Sequence, residues 1–160
     1  MALTKGVDSY VSVAEADAHF GTRLNSSLWT SASNGTKESA LITATRLIDE
    51  RFNWIGIAVS DSQLLGFPRI GSFFDPLIGY DIQFSDDETP RRVVTATFEL
   101  ALHLLTNPEV LEDSGTLGSL QISTISLDKI QNAQLIPASI NRIVAPLLQL
   151  GGSTTWWRAN

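Results

Sequence analysis

Cysteine is absent from the chain, so a disulfide framework and a thiolate metal site are both excluded. Charge is scarce as well: Asp, Glu, Lys and Arg make up 18% of the residues, and the net charge is −6. A protein that grips phosphates carries a basic face, so this balance speaks against a dedicated nucleic-acid binder. No run of about eighteen apolar residues occurs, and no membrane-spanning helix or membrane partner is expected. The opening MALTKGVDSY has no apolar core segment, and a secretory signal is not expected. The phosphate-cradling patterns GxGxxG and GxxxxGK[ST] are missing, as is GxSxG. His19 and His103 stand alone, without an HExxH pattern or a second ligand at metal spacing, and are read as packing or surface histidines. Catalytic residues, cofactor-binding residues and metal ligands are all expected to be none, and an enzyme is not expected.

What is present is a set of amphipathic segments joined by aromatic loops. Apolar residues are 43% of a 160-residue chain, enough for one domain with a real core. One domain over 1–150 is expected, followed by a tail over 151–160. The fold class is mainly α: a small bundle of about four helices, a minor β-hairpin or strand element, and a C-terminal extension. Helices are predicted near 13–22, 37–52, 90–106 and 138–150. Ser12 and Glu15 form a capping box for the first. Asn25–Gly35 reads as a loop, with Trp29 as a packing anchor. In the second helix Leu41, Ala44, Ile48 and Phe52 share one face, with Leu47 widening the stripe. Asn34 or Thr36 is expected to cap it, and Lys37, Glu38, Asp49 and Glu50 to face water. Thr89 is the expected cap of the third helix, with Pro90 in its first position and Asp86-Asp87-Glu88 suiting its positive end. Val93, Val94, Thr97, Leu100, Ala101, Leu104 and Leu105 make it the most buried helix. Pro146 should kink or shorten the fourth helix.

The segments between helices carry the less regular signals. Trp54, Gly56, Gln63, Phe67 and Pro68 lie in a stretch with no clean period. It reads as an ordered loop pinned by Trp54 and Phe67. Ile70–Asp87 holds four aromatics, Phe73, Phe74, Tyr80 and Phe84, and reads as a long irregular connection with a short strand near 80–84. Arg69, Arg91 and Arg92 are read as salt-bridging or subunit-contact residues. The β element is placed within 117–136, with its second strand near 133–136. Arg69, Phe73, Phe74 and Tyr80 are the candidate subunit interface, because such a segment is costly to leave wet. Trp156, Trp157 and Arg158 follow two glycines and a polar spacer. They are the candidate partner interface.

Taken in order, these motifs resemble a family of tailed-phage head–tail connector (adaptor, head-completion) proteins. Some of its members carry a DnaT-like single-stranded DNA-binding label. The resemblance rests on Ser9-Tyr10-Val11 with Glu15-Ala16-Asp17 and Phe20. Lys37-Glu38, Ala40-Leu41-Ile42, Ala44-Thr45 and Asp49 follow. Next come Trp54, Gly56, Gln63, Leu65 and Phe67-Pro68-Arg69, and finally Gly79, Pro90, Val94 and Phe98-Glu99-Leu100-Ala101. It covers about residues 8 to 105, and the remainder fits by general layout. It implies a helical subunit that assembles into a homo-oligomeric ring, commonly about twelve-fold. The ring would sit below the phage portal protein, at the head–tail junction of a virion assembled in the host cytoplasm. It would let double-stranded DNA pass without sequence-specific binding and offer a surface to the tail or a stopper or tail-terminator protein. In that class the C-terminal segment commonly reaches the portal. The alternative is a single-stranded DNA-binding replication accessory, which needs a basic groove with exposed aromatics.

Overall fold

The computed structural model describes residues 3–111 and 134–149. They form five α-helices and two separate two-stranded antiparallel sheets, a mainly helical arrangement with a minor β component.

Helix α1, Val13–Phe20, starts where the sequence places it. The Glu15 amide donates to Ser12 Oγ at 3.3 Å, and the Ser12 amide donates to Glu15 Oε2 at 2.8 Å. Two otherwise unpaired donors are satisfied reciprocally. The predicted Ser/Asn-rich loop contains a short helix, α2, Ser27–Ser31, which buries Trp29. Helix α3, Asn34–Arg51, begins three residues earlier than predicted. Its cap is Ser33, whose Oγ accepts from the Thr36 amide at 3.2 Å, so neither Asn34 nor Thr36 caps it. Leu41, Ala44 and Ile48 are fully buried, as their spacing requires.

Two of the polar residues on α3 depart from expectation. Lys37 is buried: its Nζ lies 2.8 Å from Asp17 Oδ1 and 5.6 Å from the centre of the Trp29 ring. Its aliphatic stem takes part in the core while the charge is paired at the edge. Asp49 turns inward as well, for a reason given below.

The β structure lies in a part of the chain read as irregular apart from a short strand near 80–84, where β4 is found. Strand β1 is Ile57–Ala58 and β2 is Arg69–Ile70, paired antiparallel. Strand β3, Ser72–Asp75, pairs antiparallel with β4, Tyr80–Gln83, in the register Phe73↔Ile82 and Asp75↔Tyr80. The predicted element at 117–136 falls mostly outside the described residues. Its described part, residues 134–136, is not a strand.

Helix α4, Arg91–Thr106, is central, packing against α2, α3 and α5, Ala138–Val144. Val93, Ala96, Thr97, Leu100 and Ala101 are all fully buried on it. Pro90 occupies its cap position and the carbonyl there accepts from the Val93 and Val94 amides. Thr89 makes no capping bond. Asn107-Pro108 ends it, followed by a 3-10 turn over Pro108–Leu111. Helix α5 stops at Val144 and tightens into a 3-10 turn over Ala145–Leu147, as Pro146 requires. Leu148 then bridges to Trp54, and the Gln149 amide donates to the Asn53 carbonyl at 2.8 Å. No helix among the described residues is long and apolar enough to cross a membrane.

Candidate interaction surface

The aromatic loop after α3 is held by one carboxylate. Asp49 Oδ1 accepts from the Tyr10 hydroxyl at 2.5 Å and from Trp54 Nε1 at 3.1 Å, and Oδ2 accepts from the Gly66 amide at 2.9 Å. The N-terminal segment, α3 and both ends of the loop therefore meet on one side chain. Burial pushes the Tyr10 hydroxyl far above its ordinary range, and the neighbouring Asp49 carboxylate pushes it the same way, so it remains a donor. Gly66 is required here. A Cβ at that position would lie 2.7 Å from Asp49 Oδ1 and 2.8 Å from Trp54 Nε1.

The loop motif residues serve the same end. Gln63 Nε2 donates to the carbonyls of Leu65 and Pro68, at 2.7 and 3.2 Å. Trp54 and Phe67 are buried and meet edge to face with ring centres 5.1 Å apart. Gly56 adopts a φ of +82°, and a Cβ there would meet the Ile70 carbonyl oxygen at 2.4 Å. The loop is ordered and pinned by Trp54 and Phe67, as the sequence suggests.

Two of the four candidate subunit-interface residues belong to the fold instead. Arg69 donates inward from Nε to the Ile55 carbonyl at 2.9 Å, from Nη1 to Gly66 at 3.2 Å and from Nη2 to Gly56 at 2.6 Å. Its guanidinium closes the loop, because five donors in a fixed fork suit several backbone acceptors at once. Phe73 is buried and stacks on Phe84 with ring centres 5.2 Å apart. Alternation along β3 sends it inward and its neighbour Phe74 outward. Phe74 and Tyr80 are exposed, at 55% and 62%.

The tip of the same hairpin adds two residues that the sequence reading passed over. Leu77 is 85% exposed and Ile78 51%. The signal was available: two aliphatics stand between Pro76 and Gly79, in a turn sequence. Asp75 fixes this turn by accepting from the Leu77 amide at 2.9 Å, and it is paired with Arg92 at 2.6 Å. The Arg92 guanidinium holds the Asp75 carboxyl below the usual carboxylate range. Arg92 thus makes the expected salt bridge. Behind the hairpin lies a groove of about 660 Å3, floored by Ile82, Phe84, Pro90 and Ile143.

Positive charge on the described residues is divided between side chains with and without an acidic partner among them. Lys5, Arg23, Lys37 and Arg92 are paired with acids, and Arg69 is spent on carbonyls. Arg46, Arg51, Arg91 and Arg142 make no ion pair among the described residues. Around the hairpin the exposed charges are mainly acidic: Asp81, Asp86, Asp87 and Glu88 against Arg91. The two histidines are packing residues. His19 stacks on Phe98 at 4.7 Å between ring centres and lies 3.3 Å from Glu99, while His103 Nε2 lies 2.7 Å from the Gln134 carbonyl. No group of three or more His, Asp or Glu among the described residues is placed to hold a metal. The tail residues Trp156, Trp157 and Arg158 lie outside the described residues.

A family model described as "Putative DnaT-like ssDNA binding protein" matches residues 2–159. The chain belongs to this DnaT-like family. No curated protein and no solved structure matches it. The match to the DnaT-like family extends past the 8–105 stretch that carries the sequence resemblance and takes in nearly the whole chain. Its description names single-stranded DNA and says nothing of head–tail connectors. Of the two readings raised from the sequence, the family match therefore favours the DNA-binding one.

Proposed function

We propose that this member of the DnaT-like family acts as a self-associating structural subunit, the ring-forming head–tail connector of a tailed-phage virion. The observation that carries this reading is the β3–β4 hairpin. It holds Leu77 and Ile78 in water on a turn fixed by Asp75, and Phe74 and Tyr80 on opposite faces of the flanking strands, with acids nearby in sequence. Exposed apolar residues grouped on one rigid element mark a protein–protein contact. Acidic neighbours disfavour a phosphate backbone and suit a wall past which double-stranded DNA slides. In this reading the ring docks beneath a portal protein and presents its other face to a tail or stopper protein. Trp156, Trp157 and Arg158 are the proposed portal contacts on sequence grounds, since Trp and Arg are enriched among interface anchors. Catalysis forms no part of the reading. The test is negative-stain imaging of the purified protein with and without portal rings. Closed rings that cap the portal are the expected result, and a protein that stays monomeric and ignores the portal overturns the reading.

A second reading, single-stranded DNA binding, is favoured by the family match itself. Phe74 and Tyr80, on opposite faces of the hairpin, would each supply a stacking face, and Arg91 is a nearby cation without an ion pair among the described residues. Fluorescence anisotropy with labelled oligonucleotides separates the two. Submicromolar affinity at physiological salt, falling steeply with added salt and lost in Tyr80→Ala, would replace the connector reading with this one.

A further inference from the structure

The groove of about 660 Å3 behind the β3–β4 hairpin has a mostly apolar exposed surface. Ile82, Phe84, Pro90 and Ile143 line it, with Ile78 on the hairpin side, and none of these is fully covered among the described residues. Its charges are balanced: Asp75 is paired with Arg92, and Glu88 and Arg91 are the other two. Charge therefore selects no occupant, and apolar surface does. The volume is that of a site enclosing a small organic molecule or a pair of large side chains.

Two stretches of this chain outside the described residues are long enough to reach a groove. Residues 112–133 contain no aromatic. They leave and rejoin the described residues at the far end of α4, after the turn Pro108–Leu111 and before Gln134, whose carbonyl lies 2.7 Å from His103 Nε2. Residues 150–160 contain Trp156 and Trp157 and depart from the groove's own side. Ile143 lines the groove, and its carbonyl accepts from Arg92 Nη1 at 3.3 Å. The chain then turns through Ala145–Leu147, which packs against β3, and Leu148 bridges to Trp54. From Trp54 two ring contacts lead back to the groove: Phe67 at 5.1 Å, then Phe84 at 5.5 Å from Phe67. Trp156 follows Gln149 by seven residues, which span about 23 Å when extended. Gly151-Gly152 permits the reversal that this path needs.

We infer that the tail of each subunit folds back and seats Trp156 and Trp157 in its own hairpin groove. A tethered segment meets its own groove at an effective concentration of about millimolar, well above that of free copies in dilute solution. Each indole brings a large apolar surface to a site that offers apolar walls. The contact stands apart from the connector reading. Within that reading it holds the tail until the portal takes it.

The test is acrylamide quenching of tryptophan emission in the full chain, without portal. Trp29 and Trp54 are buried, so emission that the quencher reaches comes from Trp156 and Trp157. Weak quenching, unchanged on dilution, is expected in the parent. Ile78→Asp places a charge at the groove, and Thr95→Arg fills it from α4; each should raise the quenching constant several-fold. Ile78 is exposed, and thermal melting verifies that both variants are folded. Strong quenching in the parent overturns the inference. Variants as protected as the parent show that the tryptophans are covered elsewhere and overturn it too. Protection that fades on dilution assigns the groove to a second copy's tail instead. Each of these results leaves the connector reading to its own imaging test.

Discussion

Two neighbouring segments, residues 53–70 and 71–84, look alike in sequence, with aromatics, glycines and no clear period, yet the fold secures them by different means. In the first, polar atoms of Asp49, Gln63 and Arg69 occupy backbone groups and the Trp54 indole, and Trp54 and Phe67 are buried while Ile57, Leu64 and Ile70 stay exposed. The second pairs its own backbone across β3 and β4 and places Phe74, Leu77, Ile78 and Tyr80 in solvent. Polar side chains that reach backbone groups pin a loop's aromatics into the core without covering the rest of the loop. A hairpin that satisfies its own backbone is free to present apolar side chains outward.

This contrast breaks or holds under substitution, and the core supplies the scale. Leu100→Ala on α4, at a fully buried position, should cost about 2–5 kcal/mol, read as a shift in the urea midpoint. Asp49→Ala leaves the Tyr10 hydroxyl, the Trp54 indole and the Gly66 amide without their acceptor. A loss of about 3 kcal/mol is expected, with a red shift in Trp54 emission as the loop opens. A variant that melts like the parent would show that the loop does not depend on this carboxylate. Arg69→Ala removes a charged donor from three carbonyls and should cost about 1.5–3 kcal/mol.

Smaller effects come from pH. Asp17 is depressed by its hydrogen bond from Lys37 and further by Trp29, and Asp75 by Arg92. A carboxyl whose folded pKa lies below the unfolded value, about 3.9, stabilises the fold fully above that value. The contribution is lost as pH falls from there through the folded pKa. Stability measured from pH 6 downward should therefore fall below about pH 4, and Asp75→Asn should flatten that limb. An unchanged acid limb would remove the Asp75–Arg92 pair from the stability of the hairpin. Smallest of all should be Leu77→Ser, within about 0.5 kcal/mol of the parent in thermal melting, since the side chain touches little of its own subunit. If instead it destabilises the monomer strongly, the tip belongs to the fold and the contrast between the two segments disappears.

Much of the architecture was legible beforehand. The i, i+3, i+7 spacing of Leu41, Ala44 and Ile48, the Ser12–Glu15 box, the Asn107-Pro108 stop and the breadth of the apolar face on α4 are local patterns. Local patterns suffice for helices because their hydrogen bonds close within four residues. One local feature was misread: Thr36 and Asn34 are good caps, but Ser33 had the geometry. The other misses depend on a distant partner. Asp49 and Lys37 are charged residues on a helix, and nothing in their sequence neighbourhood says that Tyr10 and Gly66, or Asp17 and Trp29, will be waiting for them. Phe73 and Phe74 are adjacent and identical, and only the pairing register of β3 decides which one is buried.

By itself the sequence determined four of the five described helices, their order, the central place of α4, the ordered loop between Trp54 and Phe67, and membership of the DnaT-like family. Tertiary structure alone decided which polar residues turn inward, which candidate interface residues are consumed by the fold, and that Leu77 and Ile78 end at an exposed tip. Helix periodicity records how a residue relates to its neighbours along the chain. Burial of a charge or exposure of an aliphatic depends on partners dozens of residues away, and that information exists only once the chain has folded.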